Sequence, residues 1–249
     1  MNAPPFRIKI CGVTDEQILP VIANQGGDAI GLNFFPSSIR YLAPSAAKRI
    51  ARQASGLGLL TVGVFVDTAE SDLAQIAAEC DLDIVQLHGD YSEEFTAALL
   101  ARRVRVIRVV RLPTGPLRPE EIESLVAPWR RLGCSLLLDA ESGGHFGGQG
   151  NRLDWDSLAS WEYSMGRIDG HDVPARASEQ RVSSHRRSSW TLAGGLDPLN
   201  VAEAIQRTGA SSVDVASGVE LPRGEKNSVL VAAFIEAALR AWRSEGGGD

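Results

Sequence analysis

The sequence predicts a closed (β/α)8 barrel, on three observations. The chain has 249 residues, close to the roughly 250 that such barrels use. Eight short apolar runs recur along it, most of them nearly continuous in Val, Ile and Leu, the pattern of parallel strands buried on both faces. Amphipathic stretches of helical period lie between them, and strand–helix alternation implies a parallel sheet. A doubly wound open sheet has the same alternation, and periodicity alone does not separate the two.

The strands are expected at 7–12 (RIKICG), 29–34 (AIGLNF), 59–66 (LLTVGVFV), 84–89 (IVQLHG), 104–110 (VRVIRVV), 135–140 (SLLLDA), 190–195 (WTLAGG) and 212–218 (SVDVASG). Helices are expected at 14–25, 44–53, 71–79, 92–102, 119–131, 198–208 and 227–243. Thr14, with Asp15 and Glu16 behind it, suits the positive end of a helix dipole. Ser, Pro or Asn opens the later helices, and Gly26, Gly133 and Gly209 close three of them. One stretch breaks the rhythm. Residues 161–189 are polar, poor in aliphatics and rich in Ser and Arg, and read as a long surface insertion between the sixth and seventh strands. Its His171, His185, Arg186 and Arg187 fit a solvated loop better than a binding patch. The whole chain, 1–249, is expected to form one barrel domain ending in a frayed SEGGGD tail.

Composition narrows the function. The net charge is −6 and the pI about 5.3, which argues against a nucleic-acid binder with its basic stripe. An anionic substrate stays possible, because backbone dipoles bind anions within acidic proteins. Cys11, Cys80 and Cys134 form neither a disulfide framework nor a zinc pattern, and point to a reducing cytoplasm. The N-terminus lacks the pattern of a secretory leader, and no stretch reaches about 18 uncharged apolar residues, so no membrane partner is expected.

In this fold active residues lie where strands end and in the loops that follow. The eight strand ends deliver Cys11-Gly12, the loop 34–40 with Arg40, Asp67, His88-Gly89, Arg111, Asp139, Gly194-Gly195 and Ser217-Gly218. Three loops are glycine-bearing: SGGHFGGQG (142–150), AGGL (193–196) and ASGVE (216–220). Glycine lets main-chain N–H groups approach an oxyanion, and the loops after strands seven and eight commonly hold phosphate. A single such loop reads as a tight turn, whereas AGGL and ASG together read as a phosphate site. Cys11 is either a small apolar side chain or, with cations nearby, a thiolate. Asp139 either caps its loop or, desolvated, keeps a proton near neutrality. Arg40 is either solvated or grips a planar carboxylate with two parallel bonds. His88 either lines the pocket and tunes its polarity or is a structural strand-end histidine, and the second reading is preferred.

The motifs KICGVT (9–14), GLNFFPSSIRYL (31–42), VGVFVD (62–67), VQLHGD (85–90), LLLDA (136–140), GGQGNRLDW (147–155), LAGGLDPLNVAEAI (192–205) and VDVASGVE (213–220) closely resemble those of phosphoribosylanthranilate isomerases, in the same order. The resemblance implies a cofactor-free, metal-free (β/α)8 barrel of tryptophan biosynthesis. Its reaction is the Amadori rearrangement of N-(5′-phosphoribosyl)anthranilate to 1-(2-carboxyphenylamino)-1-deoxyribulose 5-phosphate. It implies Cys11 as general base, Asp139 as general acid and Arg40 as the grip on the anthranilate carboxylate. Phosphate falls to the backbone of Gly147, Gly148, Gly150, Gly194, Gly195, Ser217 and Gly218.

Two positions depart from the family pattern: Leu153 stands where Phe is common, and 222–227 reads PRGEKN where P-G-x-K-D is usual. Other readings are an indole-glycerol phosphate synthase, a non-catalytic phosphosugar-binding barrel, or an isomerase of a related phosphoribosylamino-imidazole. The first needs strand-end lysines, and only Lys9 lies in a strand. The expected assembly is a monomer or a homodimer.

Overall fold

The computed structural model describes residues 3–141, 152–168 and 188–246. Its strands are β1 (Ile8–Cys11), β2 (Ala29–Asn33), β3 (Leu60–Val66), β4 (Ile84–His88), β5 (Val106–Leu112), β6 (Ser135–Ala140), β7 (Trp190–Leu192) and β8 (Val213–Val215). Every neighbouring pair is parallel, and β8 returns to pair with β1 in the register Lys9↔Asp214, which closes the barrel. That pairing decides against the open sheet. The last two strands are shorter than their apolar runs. After Leu192 the chain turns through Gly194 and Gly195, both at positive φ, and after Val215 it enters a short 3-10 helix, Ser217–Val219.

The period of two along each strand sorts side chains into two cores. Ile8 and Ile10, Val85 and Leu87, Leu136 and Leu138, and Val213 and Val215 face outward and pack with the helices. Ala29, Val62, Ile84, Ile107, Val109, Leu137 and Ala193 fill the barrel interior with Phe6. The same alternation turns Lys9, Cys11, His88, Arg111, Asp139 and Asp214 inward.

The outer ring is α1 (Leu19–Gln25), α2 (Pro44–Gly56), α3 (Glu70–Glu79), α4 (Glu93–Ala101), α5 (Pro119–Leu132), α6 (Trp155–Ile168), α7 (Val201–Thr208) and α8 (Ser228–Gly246). Their ends follow the expected chemistry. Ser92 accepts from Phe95 N at 3.1 Å. Asn227 accepts from Val229 N and Leu230 N, each at 3.1 Å, so the substitution at that cap leaves it working. Gly26, Gly133 and Gly209 take the left-handed conformation after α1, α5 and α7. At the first helix the cap is Asp15 rather than Thr14, and a 3-10 turn, Glu16–Ile18, precedes α1.

Helix α6 corrects the reading of 161–189 as a surface loop. Residues up to Ile168 are helical, and Trp161, 2% exposed, is a core residue. Its ring lies 5.9 Å from that of Trp190 on β7, and its indole N–H donates to Glu123 on α5 at 3.0 Å. Asp154 starts the helix, accepting from Asp156 N at 3.2 Å and from the Ser157 hydroxyl at 2.9 Å. Leu153, at the departure from the family pattern, is buried, which explains why one apolar side chain replaces another. The rest of the insertion through Arg187, with its two histidines and paired arginines, lies outside the described residues. The domain boundary reading of 1–249 includes those residues and stands as an expectation.

Because Trp161 joins α5, α6 and β7, truncating it removes both a large buried ring and a partner of Glu123. Trp161→Ala is expected to lower unfolding free energy by about 3–5 kcal/mol, read from urea denaturation followed by far-UV circular dichroism.

Candidate active site

The inner face at the carboxyl ends of the strands carries an unusual concentration of charge. Lys9 on β1 is fully buried and donates to Asp214 of β8 at 2.7 Å. Burial alone would strip its proton, but the charge and hydrogen bond of Asp214, together with Cys11, raise its pKa, so it stays an ammonium. Cys11 lies two residues further along the same strand and therefore on the same side. Desolvation pushes its thiol above the ordinary value. Lys9, which also hydrogen-bonds the sulfur, and Lys226 pull against that shift. The expectation that nearby cations depress this thiol is thus met only in part: the cations are present, and burial outweighs them.

Asp139 ends β6 on the inner face. Desolvation, then the negative charge of Asp214, raise its carboxyl to about 6, against the pull of Ala140 N–H, Lys9 and Arg111. Its Oδ1 accepts from Ala140 N at 2.9 Å. Gly194 explains how the next loop passes so close. A Cβ there would stand 2.9 Å from Ala140 N and 3.2 Å from Asp139 Oδ1, and its φ of +87° is one that side chains avoid. His88, inward on β4, is driven down to about 3 by burial and by the charges of Arg111, Arg108 and Lys9. It is a neutral imidazole at working pH.

The loop after β2 supplies Arg40, which is 6% exposed rather than solvated. Its Nε and Nη2 donate to the two oxygens of Glu220, at 2.6 and 2.7 Å. The same carboxylate accepts from Lys226 Nζ at 2.6 Å and from Gly224 N at 2.9 Å. Burial would raise the Glu220 carboxyl, but Arg40, Lys226 and Gly224 outweigh it and hold it down to about 2. Ser217 and Gly218 open the 3-10 turn below this cluster. A Cβ on Gly218 would fall 1.9 Å from Leu196 O, so the AGGL and ASG loops pack backbone against backbone. The N–H groups of Gly195, Ser217 and Gly218 donate to no other described residue. Gly147, Gly148 and Gly150 lie outside the described residues.

Asp67 lies apart from this cluster. Its Oδ1 accepts from Asp90 N at 2.7 Å. It lines an open hollow of about 580 Å³ with Glu70, Asp90, Tyr91 and Phe95, whose acidic walls repel a phosphate or a carboxylate.

The family model for N-(5′-phosphoribosyl)anthranilate isomerase matches residues 8–237. The chain belongs to the phosphoribosylanthranilate isomerase family. It is 36% identical over 234 residues to the enzyme of that name from Geobacter sp. strain M21, covering 94% of this chain and 98% of the relative. The Thermotoga maritima phosphoribosyl anthranilate isomerase superposes with a TM-score of 0.74 at 29% identity, covering 94% of this chain and 99% of that one. A further isomerase structure, solved in complex with reduced 1-(O-carboxyphenylamino)-1-deoxyribulose 5-phosphate, gives 0.70 at 28% identity over 94% and 99% of the two chains. This isomerase is therefore an enzyme of tryptophan biosynthesis. The synthase alternative loses its lysines to ion pairs, Lys9 with Asp214 and Lys226 with Glu220.

Four of the charged groups here, Lys9, Asp214, Glu220 and Lys226, were not among the expected site residues. For Lys9 and Asp214 a signal existed: IKIC and VDV each carry one charge on the period of two inside an apolar strand. For the Arg40–Glu220 contact there was none, since the partners are 180 residues apart.

A buried pair of this kind costs most when only one member is removed. Lys9→Met strands the Asp214 carboxylate and is expected to cost about 3–5 kcal/mol in denaturant unfolding. The double change Lys9→Met with Asp214→Leu is expected to recover most of that stability while turnover stays lost. Equal stability of single and double variants contradicts this account.

Proposed function

We propose that this isomerase works through Cys11 as general base and Asp139 as general acid, with Arg40 and the glycine loops anchoring the two anionic ends of the substrate. The observation that carries the proposal is the inward alternation of β1 and β6, which gives both groups one shared face beside Lys9 and Asp214. A carboxyl that titrates at about 6 can donate to the furanose ring oxygen and open the ring to a protonated Schiff base. The iminium acidifies the neighbouring C2–H. The Cys11 sulfur, as thiolate, takes that proton to give an enolamine, which tautomerises to the ketone. The backbone donors of Gly195, Ser217 and Gly218 support a phosphate at the AGGL and ASG loops.

The two pKa directions impose a proton count. At pH 7 the resting pair is a thiol and, for the most part, a carboxylate. The reactive pair is a thiolate and a carboxylic acid. Both contain one proton, so reactivity persists wherever the pair holds one and fails where it holds two or none. The relative solved with a reduced deoxyribulose phosphate supports the substrate class. A Thermotoga maritima relative is dimeric; for this chain a monomer or homodimer is proposed. Its three free thiols support a reducing, cytoplasmic setting, and no helix among the described residues is long and apolar enough to cross a membrane.

Activity is read from the loss of anthranilate fluorescence when purified protein meets N-(5′-phosphoribosyl)anthranilate. Cys11→Ser and Asp139→Asn are each expected to lower kcat at least about 10²-fold with unchanged circular dichroism. The wild-type kcat/KM is expected to fall below pH about 6, as Asp139 takes up the second proton. In Asp139→Asn that limb is expected to vanish, the residual rate climbing with pH toward the raised thiol. Near-wild-type turnover of either variant ends the assignment. Arg40→Ala is expected to raise KM about tenfold or more with a smaller change in kcat; an unchanged KM removes Arg40 from the carboxylate.

A further inference from the structure

A guanidinium has two carboxylate-binding edges, the side formed by Nε and Nη2 and the end formed by the two terminal nitrogens. Glu220 takes the first edge of Arg40, at 2.6 and 2.7 Å. We infer that Glu220 is a positioning residue for substrate recognition: by holding the side edge of Arg40, it points the remaining end edge at the aromatic carboxylate of the substrate. The inference rests on the assignment of Arg40 to that carboxylate, which Arg40→Ala tests by itself.

Three observations support a fixed clamp rather than a partner that the substrate displaces. Glu220 is saturated: besides the two Arg40 bonds it accepts from Lys226 and from Gly224 N, so releasing Arg40 leaves a buried carboxylate under-satisfied. Its side chain is 1% exposed. The Arg40 stem is also trapped, because its Cδ occupies the space that a Cβ on Gly12 would take, at 2.3 Å. That contact holds the Arg40 stem against Gly12, the residue that follows Cys11, and the guanidinium is near enough to feel the charge of the Cys11 sulfur. Arg40 N donates to the Ser38 hydroxyl at 3.1 Å, holding the loop that carries it.

Charge alone predicts the opposite of this inference. Arg40, Lys226 and Glu220 together carry one net positive charge. Neutralising Glu220 raises that charge and, by Coulomb attraction, tightens an incoming carboxylate. If Glu220 orients the fork, neutralising it weakens binding of the same carboxylate, so the sign of the KM change decides between the two.

The test measures steady-state kinetics of wild-type, Glu220→Gln, Arg40→Ala and the double variant, on N-(5′-phosphoribosyl)anthranilate and on the phosphoribosyl aniline that lacks the carboxylate. For Glu220→Gln the carboxylated substrate is expected to show a KM raised about tenfold, with kcat within about threefold. KM for the aniline congener is expected to change less than about twofold, and Glu220→Gln is expected to add nothing in the Arg40→Ala background. A lower KM, equal losses on both substrates, or a loss additive to Arg40→Ala overturns the inference. Should Glu220→Gln fail to fold, Arg40→Lys reads the same point. A lysine cannot serve two carboxylates through two edges, so its KM is expected to match Arg40→Ala, and a wild-type KM overturns the inference.

Discussion

An ammonium group buried inside a sheet of hydrocarbon is the constraint around which the working end of this barrel is built. Lys9 finds its counter-charge on the strand furthest away in sequence, so the ion pair with Asp214 forms only when β8 has come round to β1. Closure of the barrel and completion of the charge pair are the same event. The neighbours of the pair along β1 and β8 face the helices, and the alternation that turns those outward is what turns Lys9 and Asp214 in.

Both members of the pair act on both neighbouring groups, in opposite senses. At Cys11 the positive member favours the anion and outweighs the contrary effect of Asp214. The negative member acts on Asp139 and favours its neutral acid. Burial favours the neutral form of both groups, which suits a carboxylic acid at Asp139 and opposes a thiolate at Cys11. On the roles proposed above, the larger of two opposed effects favours the thiolate at Cys11, through Lys9, and the acid at Asp139, through Asp214. Lys9 keeps its proton through its bond to Asp214.

Most of the fold was legible because it rests on local rules. Runs such as LLTVGVFV and LLLDA are too apolar for anything but buried strands, and capping by Ser92 and Asn227 follows from hydrogen-bonding geometry. Residues delivered at strand ends, Cys11 and Asp139 among them, could be named because the alternation of a strand is set by its own sequence. Helix α6 was obscured where it enters the polar stretch. Trp155, Leu158, Trp161 and Met165 recur at spacings of three and four, a helical stripe that the Ser- and Arg-rich composition beyond it outweighed. The Arg40–Glu220 clamp was not legible at all. It depends on two loops brought together on either side of β1, and nothing local to the PSSIR or SGVE segments reveals which partner each will meet.

The contact between Gly218 and the Leu196 carbonyl sets a dimension. The two loops lie so close there that no side chain fits between Gly218 and the Leu196 carbonyl, and main chain faces main chain. Side chains can vary around such a frame without altering its width. With the phosphate placed as proposed above, room for a bulkier anion, a diphosphate for instance, requires these two backbones to move apart, which is a change of architecture and not of lining.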